Sequence, residues 1–301
     1  MKLLAITGGT GFVGRKLIEL AVQAGHEVRA LARRPQPDLP RVTWVSGALD
    51  ASMALSTLVR GADAVIHVAG IVNALDRAGF AAGNIAGTQA IVDATTDAGV
   101  RRFLHVSSLA AREPALSDYG WSKAGAEHVV ASSSLDWTMV RPPAIYGPGD
   151  MDMRDMFRMA RFGLALLPPP GRMSVIEVGD LARLLLALVD KDPGRVILEA
   201  DDGVEGGWSH HDFARAIGAA VGQRVLPLAL PRALLSLAAK GDRLLRGDKA
   251  RLTADRVDYF CHPDWTIDPA HRPDPALWRP RVATPQGLAD TAAWYRANGL
   301  L

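Results

Sequence analysis

The 301 residues are 49% hydrophobic and 22% charged, the make-up of an ordinary globular protein with a substantial core rather than of a disordered chain. Thirty-four basic residues against 32 acidic leave a net charge of +2, too balanced for a nucleic-acid partner, and no zinc-finger or aromatic-plus-basic RNA pattern is present. The single Cys261 excludes an intrachain disulfide and any cysteine metal cluster. Its sparse cysteine, the lack of signal-peptide zones at the N-terminus, and the shortness of its longest apolar run (LARLLLALV, Leu181 to Val189, interrupted by Arg183) predict a cytoplasmic protein without a transmembrane segment.

Along the first half, short apolar runs alternate with helical patterns. KLLAIT is followed by FVGRKLIELAVQAG, then EVRALA, VTWVSG, ADAVIHVAG, a long helix near Phe80 to Ala98, RRFLHVSS, a helix from about Ser117, and DWTMVR at Asp136 to Arg141. That alternation predicts an α/β fold, a Rossmann-type doubly wound parallel sheet with crossover helices. PPAIYGPGD ends the rhythm. Beyond Met151 the pattern is mostly helical, near Met151 to Phe162, Gly179 to Val189, His210 to Val221, Arg232 to Leu245 and Pro285 to Ala297. The expected organisation is an α/β domain over 1–150 and a smaller, mostly helical lobe over 151–301, with segments such as 174–200 returning to the first. Arg232 to Arg256 holds seven Lys/Arg against three Asp, a surplus of 7 − 3 = 4, and reads as a lobe helix with a solvated basic rim in preference to a membrane-docking element.

TGGTGFVG at Thr7 to Gly14 stands between a strand and a helix, the context in which such glycines carry information. Gly8 suits a tight turn, Gly11 lets backbone amides approach a pyrophosphate, and Gly14 lets the helix pack closely on the strand. The helix start, including Phe12 and Val13, then faces anionic phosphates. After the second strand come Arg33 and Arg34, with no acidic residue between Arg29 and Gln36, so NADP(H) is expected over NAD(H). Tyr119 and Lys123, four apart in DYGWSKAGAE, share a helix face, where the Lys123 cation favours the ionised phenol. His67 reads as a structural histidine at a buried strand end, His210 and His211 as helix-start residues, and Asp201 and Asp202 as turn residues; no metal site is expected.

TGGTGFVG, DAVIHVAG, NIAGT, VSS, YGWSK and RPPAIYGPGD, in that order, resemble the extended short-chain dehydrogenase/reductase family, which includes NAD(P)-dependent epimerases and dehydratases. The resemblance is specific across Met1 to Asp150 and continues more loosely through SVIEVGDLAR and GLADTAAWYRANGLL. It implies Tyr119 as catalytic acid/base, Lys123 as its electrostatic partner and ribose ligand, and Ser108, with Ser107 as fallback, as the hydroxyl on the substrate oxygen. It further implies a structural or relay role for Asn84, Ala69 and Gly70 beside the cofactor, Pro142 and Ile145 along the nicotinamide carboxamide, and Leu49 with Asp63 at the adenine wall. The expected activity is oxidoreductase chemistry, hydride transfer to or from a carbonyl or hydroxyl carbon. Nucleotide-sugar epimerisation or dehydration, and a non-catalytic NADPH-binding sensor or assembly subunit, stand as alternatives. Apolar candidates such as Met151, Met153, Met156, Phe157, Leu164, Leu166 and Leu167 favour an apolar small-molecule substrate, while Leu109 and Ala110 after Ser108 disfavour dehydration. Homodimerisation through the helices near Asn84 to Ala98 and Ser117 to Ala131 accompanies the family.

Overall fold

The computed structural model describes residues 1–247 and 253–301. Strand β1 (Leu3–Thr7) leads through the glycine turn to α1 (Phe12–Gln23), β2 (Glu27–Ala32), β3 (Val42–Ser46), α2 (Ser52–Val59) and β4 (Ala64–His67). The predicted long helix begins earlier, as α3 (Arg77–Phe80), and passes through a π-helical stretch, Ala81–Ala86, into α4 (Gly87–Asp97). β5 (Arg102–Val106), a 3₁₀ turn (Leu109–Arg112), α5 (Asp118–Ala131) and β6 (Asp136–Val140) follow. The chain continues as β7 (Ala144–Tyr146), α6 (Arg154–Ala160), β8 (Leu164–Leu167), β9 (Arg172–Met173), β10 (Val175–Glu177), α7 (Val178–Asp190) and β11 (Val196–Leu198). Its remainder is β12 (Trp208–Ser209), α8 (His210–Val221), β13 (Leu226–Ala229), α9 (Arg232–Arg246), α10 (Ala254–Phe260), β14 (Asp264–Trp265) and α11 (Thr284–Ala297).

Two compact units form, each assembled from three stretches of chain: Met1–Arg141, Leu181–Glu199 and His271–Arg279 in one; Pro142–Asp180, Ala200–Ala270 and Pro280–Leu301 in the other. In the first, seven parallel strands stand in the order β11-β6-β5-β4-β1-β2-β3. Strands covered on both faces read as continuous apolar runs, which is why Leu4, Ala5 and Ile6, Val65 and Ile66, and Phe103 and Leu104 are all fully buried. One face packs against Leu55, Leu58, Ile91, Val92 and Val130 from the helices. Strand order reverses beside β1, so the carboxyl ends of β1 and β4 open a crevice where open sheets of this type bind ligands.

The second unit has a core of Tyr146, Phe157, Val175, Phe213, Ile217, Leu288, Ala292 and Tyr295. Its regular structure is mostly helical, as expected, and β7–β10, β12–β9–β14 and β8–β13 add three small sheets that the sequence reading did not place. Their strands are two to four residues long, too short to show a period of two. Of the basic Arg232 to Arg256 segment, Lys249 and Arg251 lie outside the described residues. No helix among the described residues is long and apolar enough to cross a membrane.

Candidate active site

The glycine turn is shaped by backbone meeting backbone. Gly8 has φ +72°, and a Cβ there would lie 2.6 Å from the Ala69 amide nitrogen, so the end of β1 and the end of β4 touch only because the position is glycine. The Thr7 hydroxyl oxygen accepts from the Ala69 amide at 3.2 Å. The Gly11 amide donates to Gly8 O at 3.0 Å, and a Cβ on Gly14 would run into that same carbonyl. Gly11 caps α1 with no side-chain bond, and no acidic residue occupies the first turn. The first-turn amides, Phe12 and Val13 among them, lack intrahelical acceptors by construction and sit at the positive end of the helix dipole. This cradle fits a pyrophosphate.

Beyond β2, Arg33 and Arg34 are exposed and have no ion-pair partner among the described residues. Leu49 packs on Gly87, where an added Cβ would lie 2.7 Å from Leu49 Cδ1. Asp63 corrects the sequence reading: it precedes β4, and its carboxylate accepts from the Leu3 amide at 2.7 Å, at the amino end of both strands and therefore at the sheet edge opposite the glycine turn. It cannot form part of an adenine wall.

Lys123 is placed by α5, which Ser117 starts by accepting from the Gly120 amide at 2.9 Å. Tyr119 lies in the first turn of that helix, half-buried, its ring 6.1 Å from that of Phe80. One turn on, the Lys123 ammonium is 5% exposed and donates to Val106 O, the last carbonyl of β5, at 2.9 Å. Burial pushes its pKa down to about 8, against the pull of the Glu127 carboxylate another turn along. A Cβ on Gly70 would lie 3.7 Å from this nitrogen and 3.2 Å from Asn84 Oδ1, so the loop after β4, the π-helical stretch and α5 converge here.

Asn84 fastens them. Its Oδ1 accepts from the Ile71 amide at 2.7 Å, and its Nδ2 donates to Ile71 O at 3.0 Å and to Ser122 Oγ at 2.8 Å. Ser122 in turn donates to Tyr119 O at 2.8 Å. The two serines of the VSS run have different employments. Ser107 donates to Glu127 at 2.5 Å, whereas Ser108 caps the 3₁₀ turn, accepting from the Ala110 amide at 3.2 Å, and its own hydroxyl hydrogen has no acceptor among the described residues.

Beneath these groups His67 bridges Thr7 Oγ1 at 2.6 Å and Thr88 Oγ1 at 3.1 Å and stacks on His105 with 5.3 Å between ring centres. Burial, then Lys123, brings His67 down to about 3 and His105 well below its ordinary value, so both are neutral and Lys123 is not opposed by a second cation. His67 is structural, as its strand position predicts.

Sequence reasoning missed an ion cluster beside the site. Arg141, at the end of β6, holds Glu127 with two hydrogen bonds of 2.8 and 2.6 Å and reaches Glu199, at the end of β11, at 3.4 Å; Arg112 meets Glu199 at 3.2 Å. Glu199 is fully buried and Glu127 7% exposed. The signal was available: Glu127 continues the Tyr119, Lys123 face by another four residues. Pro142 and Ile145 belong to the second unit, where Ile145 pairs with Ile176 between β7 and β10.

Residues 8–192 match the model of a family described as NAD(P)H-binding. A ceramide reductase of Caulobacter vibrioides is 35% identical, over 99% of this chain and 96% of its own length. Among solved structures, a Bordetella bronchiseptica enzyme in complex with NAD and UDP aligns with a TM-score of 0.75 at 17% identity, covering all of this chain and 96% of that one. A human epimerase family protein with NADPH aligns at 0.75 and 21% identity, over 97% and 99%.

Proposed function

The chain belongs to the NAD(P)H-binding extended short-chain dehydrogenases/reductases, and from that premise we propose an NADP(H)-dependent reductase of lipid-like ketones, or dehydrogenase of the matching alcohols, working through Ser108, Tyr119 and Lys123. The observation that carries the reading is the buried Lys123 ammonium, fixed on Val106 O one helical turn from Tyr119, with an uncommitted Ser108 hydroxyl just beyond the end of the same strand. A structural lysine has no need of a position whose burial lowers its pKa from 10.5 to about 8.

The Gly8 to Gly14 turn is the proposed pyrophosphate seat, Arg33 and Arg34 the contacts to a ribose 2′-phosphate, and Lys123 the contact to the nicotinamide ribose. Leu49, Ala69, Gly70, Pro142 and Ile145 are proposed to complete the cofactor surface. When bound, the nicotinamide supplies or accepts the hydride. The chain's own residues handle the oxygen. In the reductive direction Tyr119 gives its phenolic proton to the substrate oxygen as that oxygen gains charge, while Ser108 donates a hydrogen bond to it. The Lys123 cation stabilises the phenolate left behind. In oxidation the phenolate takes the hydroxyl proton back.

Support for a lipid-like substrate comes from the ceramide reductase, similar along nearly its whole length. The test is NADPH absorbance with long-chain ketones: stoichiometric consumption is expected, and Tyr119→Phe should reduce turnover at least ~100-fold with NADPH affinity within about twofold. Undiminished turnover in that variant would falsify the assignment, and cycling without net consumption would move the reading to epimerisation.

A further inference from the structure

The most prominent surface left unexplained by this chemistry lies in the second unit, where α9 turns its apolar side outward. Ala239 is buried, while Leu234, Leu237, Leu244 and Leu245 are 48%, 65%, 87% and 88% exposed. At about 100° per residue these leucines fall, with Ala238 and Gly241, in a single arc about 120° wide, opposite Ala239. Exposed Lys240 borders the arc and has no ion-pair partner among the described residues. Arg232 and Arg246 lie off it, paired with Asp258 at 2.6 Å and Asp242 at 3.3 Å.

The ribbon feeding this helix repeats the arrangement. β8 and β13 run parallel with Leu164 opposite Leu226 and Leu166 opposite Leu228, and all four are at least 40% exposed. The alternate residues Ala165 and Leu167 pack inward with Ala214. Leu230 N donates to Leu167 O at 2.9 Å and Leu234 N to Pro231 O at 2.9 Å, so the ribbon passes into the helix without a free linker. Scattered surface leucines are normal; eight exposed leucines on a ribbon and the helix that directly follows it mark a contact surface.

We propose that α9 is a membrane-surface helix that lays its leucines at the headgroup boundary of an anionic bilayer, with the β8–β13 ribbon adjoining it. Charge selects this occupant: the stretch from Arg232 to Arg256 has seven basic residues against three acidic, complementary to an anionic leaflet. A second copy meeting this face about a two-fold axis would bring one positively charged stretch against another. At 15 residues the helix is too short to span and suits lying in the interface. The inference goes beyond the reaction proposed above: a ketone dissolved in the same leaflet would give the surface a use, but docking does not depend on turnover.

The experiment is flotation of the full chain with phosphatidylcholine vesicles containing about one third phosphatidylglycerol, against phosphatidylcholine alone. The protein is expected to float with the anionic vesicles and to be released by added salt. Leu237→Ser combined with Leu244→Ser should weaken partitioning by at least ~30-fold, and Lys240→Ala by about fivefold. All three positions are exposed, so melting temperature and NADPH affinity serve as folding controls that should not move. Failure of the wild type to float with anionic vesicles, or equal flotation of the double-serine variant, overturns the proposal. So does a dimer in sedimentation velocity that the double-serine variant converts to monomer without any vesicle binding. Flotation without reductase activity leaves docking standing and removes the reaction; activity without flotation does the reverse.

Discussion

Burying the Lys123 ammonium lowers its pKa from 10.5 to about 8, which ties site chemistry to stability. Between those two values the unfolded chain binds the proton and the folded one does not, so stability rises with pH across that window; below about pH 8 both states are protonated and the whole penalty, about 3 kcal/mol, is present. Lys123→Met should therefore stabilise the cofactor-free protein at pH 7 by about 2 kcal/mol, once about 1 kcal/mol is subtracted for the lost bond to Val106 O, while turnover drops at least ~100-fold. Urea unfolding reads the first effect, and a variant less stable than the parent would show that the ammonium carries no such penalty. In the proposed mechanism this cation supports Tyr119 only while protonated, so reductive kcat/KM should decline as pH rises through about 8. In the reading proposed above, Arg33 and Arg34 contact the 2′-phosphate end of the cofactor. Replacing both with Ser should raise the Kd for NADPH by about tenfold to a hundredfold and leave that for NADH nearly unchanged, since a charge-assisted bond to phosphate contributes about 1.5–3 kcal/mol. Equal losses measured by calorimetry would reduce the arginines to general attraction.

Single elements explain why some of the site was legible and some was not. β1, the glycine turn and α1 are consecutive, and their meaning is local: apolar run, turn, helical period. Ser117, Tyr119 and Lys123 likewise lie on one helix and are fixed by a cap and a four-residue step. The π-helical stretch is different, since nothing in AAGNIA distinguishes it from the α-helix on either side, and it sets where Asn84 points. The Asp63 reading failed because it took a residue that precedes β4, and so lies at the amino end of that strand, for one at the carboxyl edge where the glycine turn stands. The ion cluster was missed because its members come from the 3₁₀ turn after β5, α5, and the ends of β6 and β11, brought together only by the sheet order. That cluster makes a prediction at its own scale. Glu127→Ala leaves the Arg141 guanidinium with Glu199 alone and takes the acceptor from Ser107, so it should cost about 3–5 kcal/mol in urea unfolding. Loss of under about 1 kcal/mol would mean that the cluster is solvated and merely decorative.

At the level of the whole molecule, the question is what a Rossmann sheet requires to stand. Six of its seven strands end by Val140, and sequence alone places a boundary near Asp150. Yet the sheet is finished by chain that arrives later. β11 pairs with β6 from Val196 opposite Thr138 to Leu198 opposite Val140, and the Arg141 amide donates to Leu198 O at 2.8 Å. The part of α7 in the same unit contributes Leu181, Leu184, Leu185 and Leu188, each fully buried, and Arg102 donates twice to Leu188 O, at 3.1 and 2.7 Å. At about 2 kcal/mol for each buried leucine, those four side chains alone contribute about 8 kcal/mol, as much as the entire net stability of a typical domain. Buried Glu199 leaves with them, and Arg141 and Arg112 lose their common acceptor. A fragment of residues 1–150 therefore keeps the glycine turn, Ser108, Tyr119 and Lys123 in sequence but should not hold them in place: circular dichroism should show no cooperative melt, and fluorescence titration no NADPH binding. A fragment that melts cooperatively and binds NADPH as the full chain does would mean that the six-strand sheet is self-sufficient and that α7 and β11 only cover it.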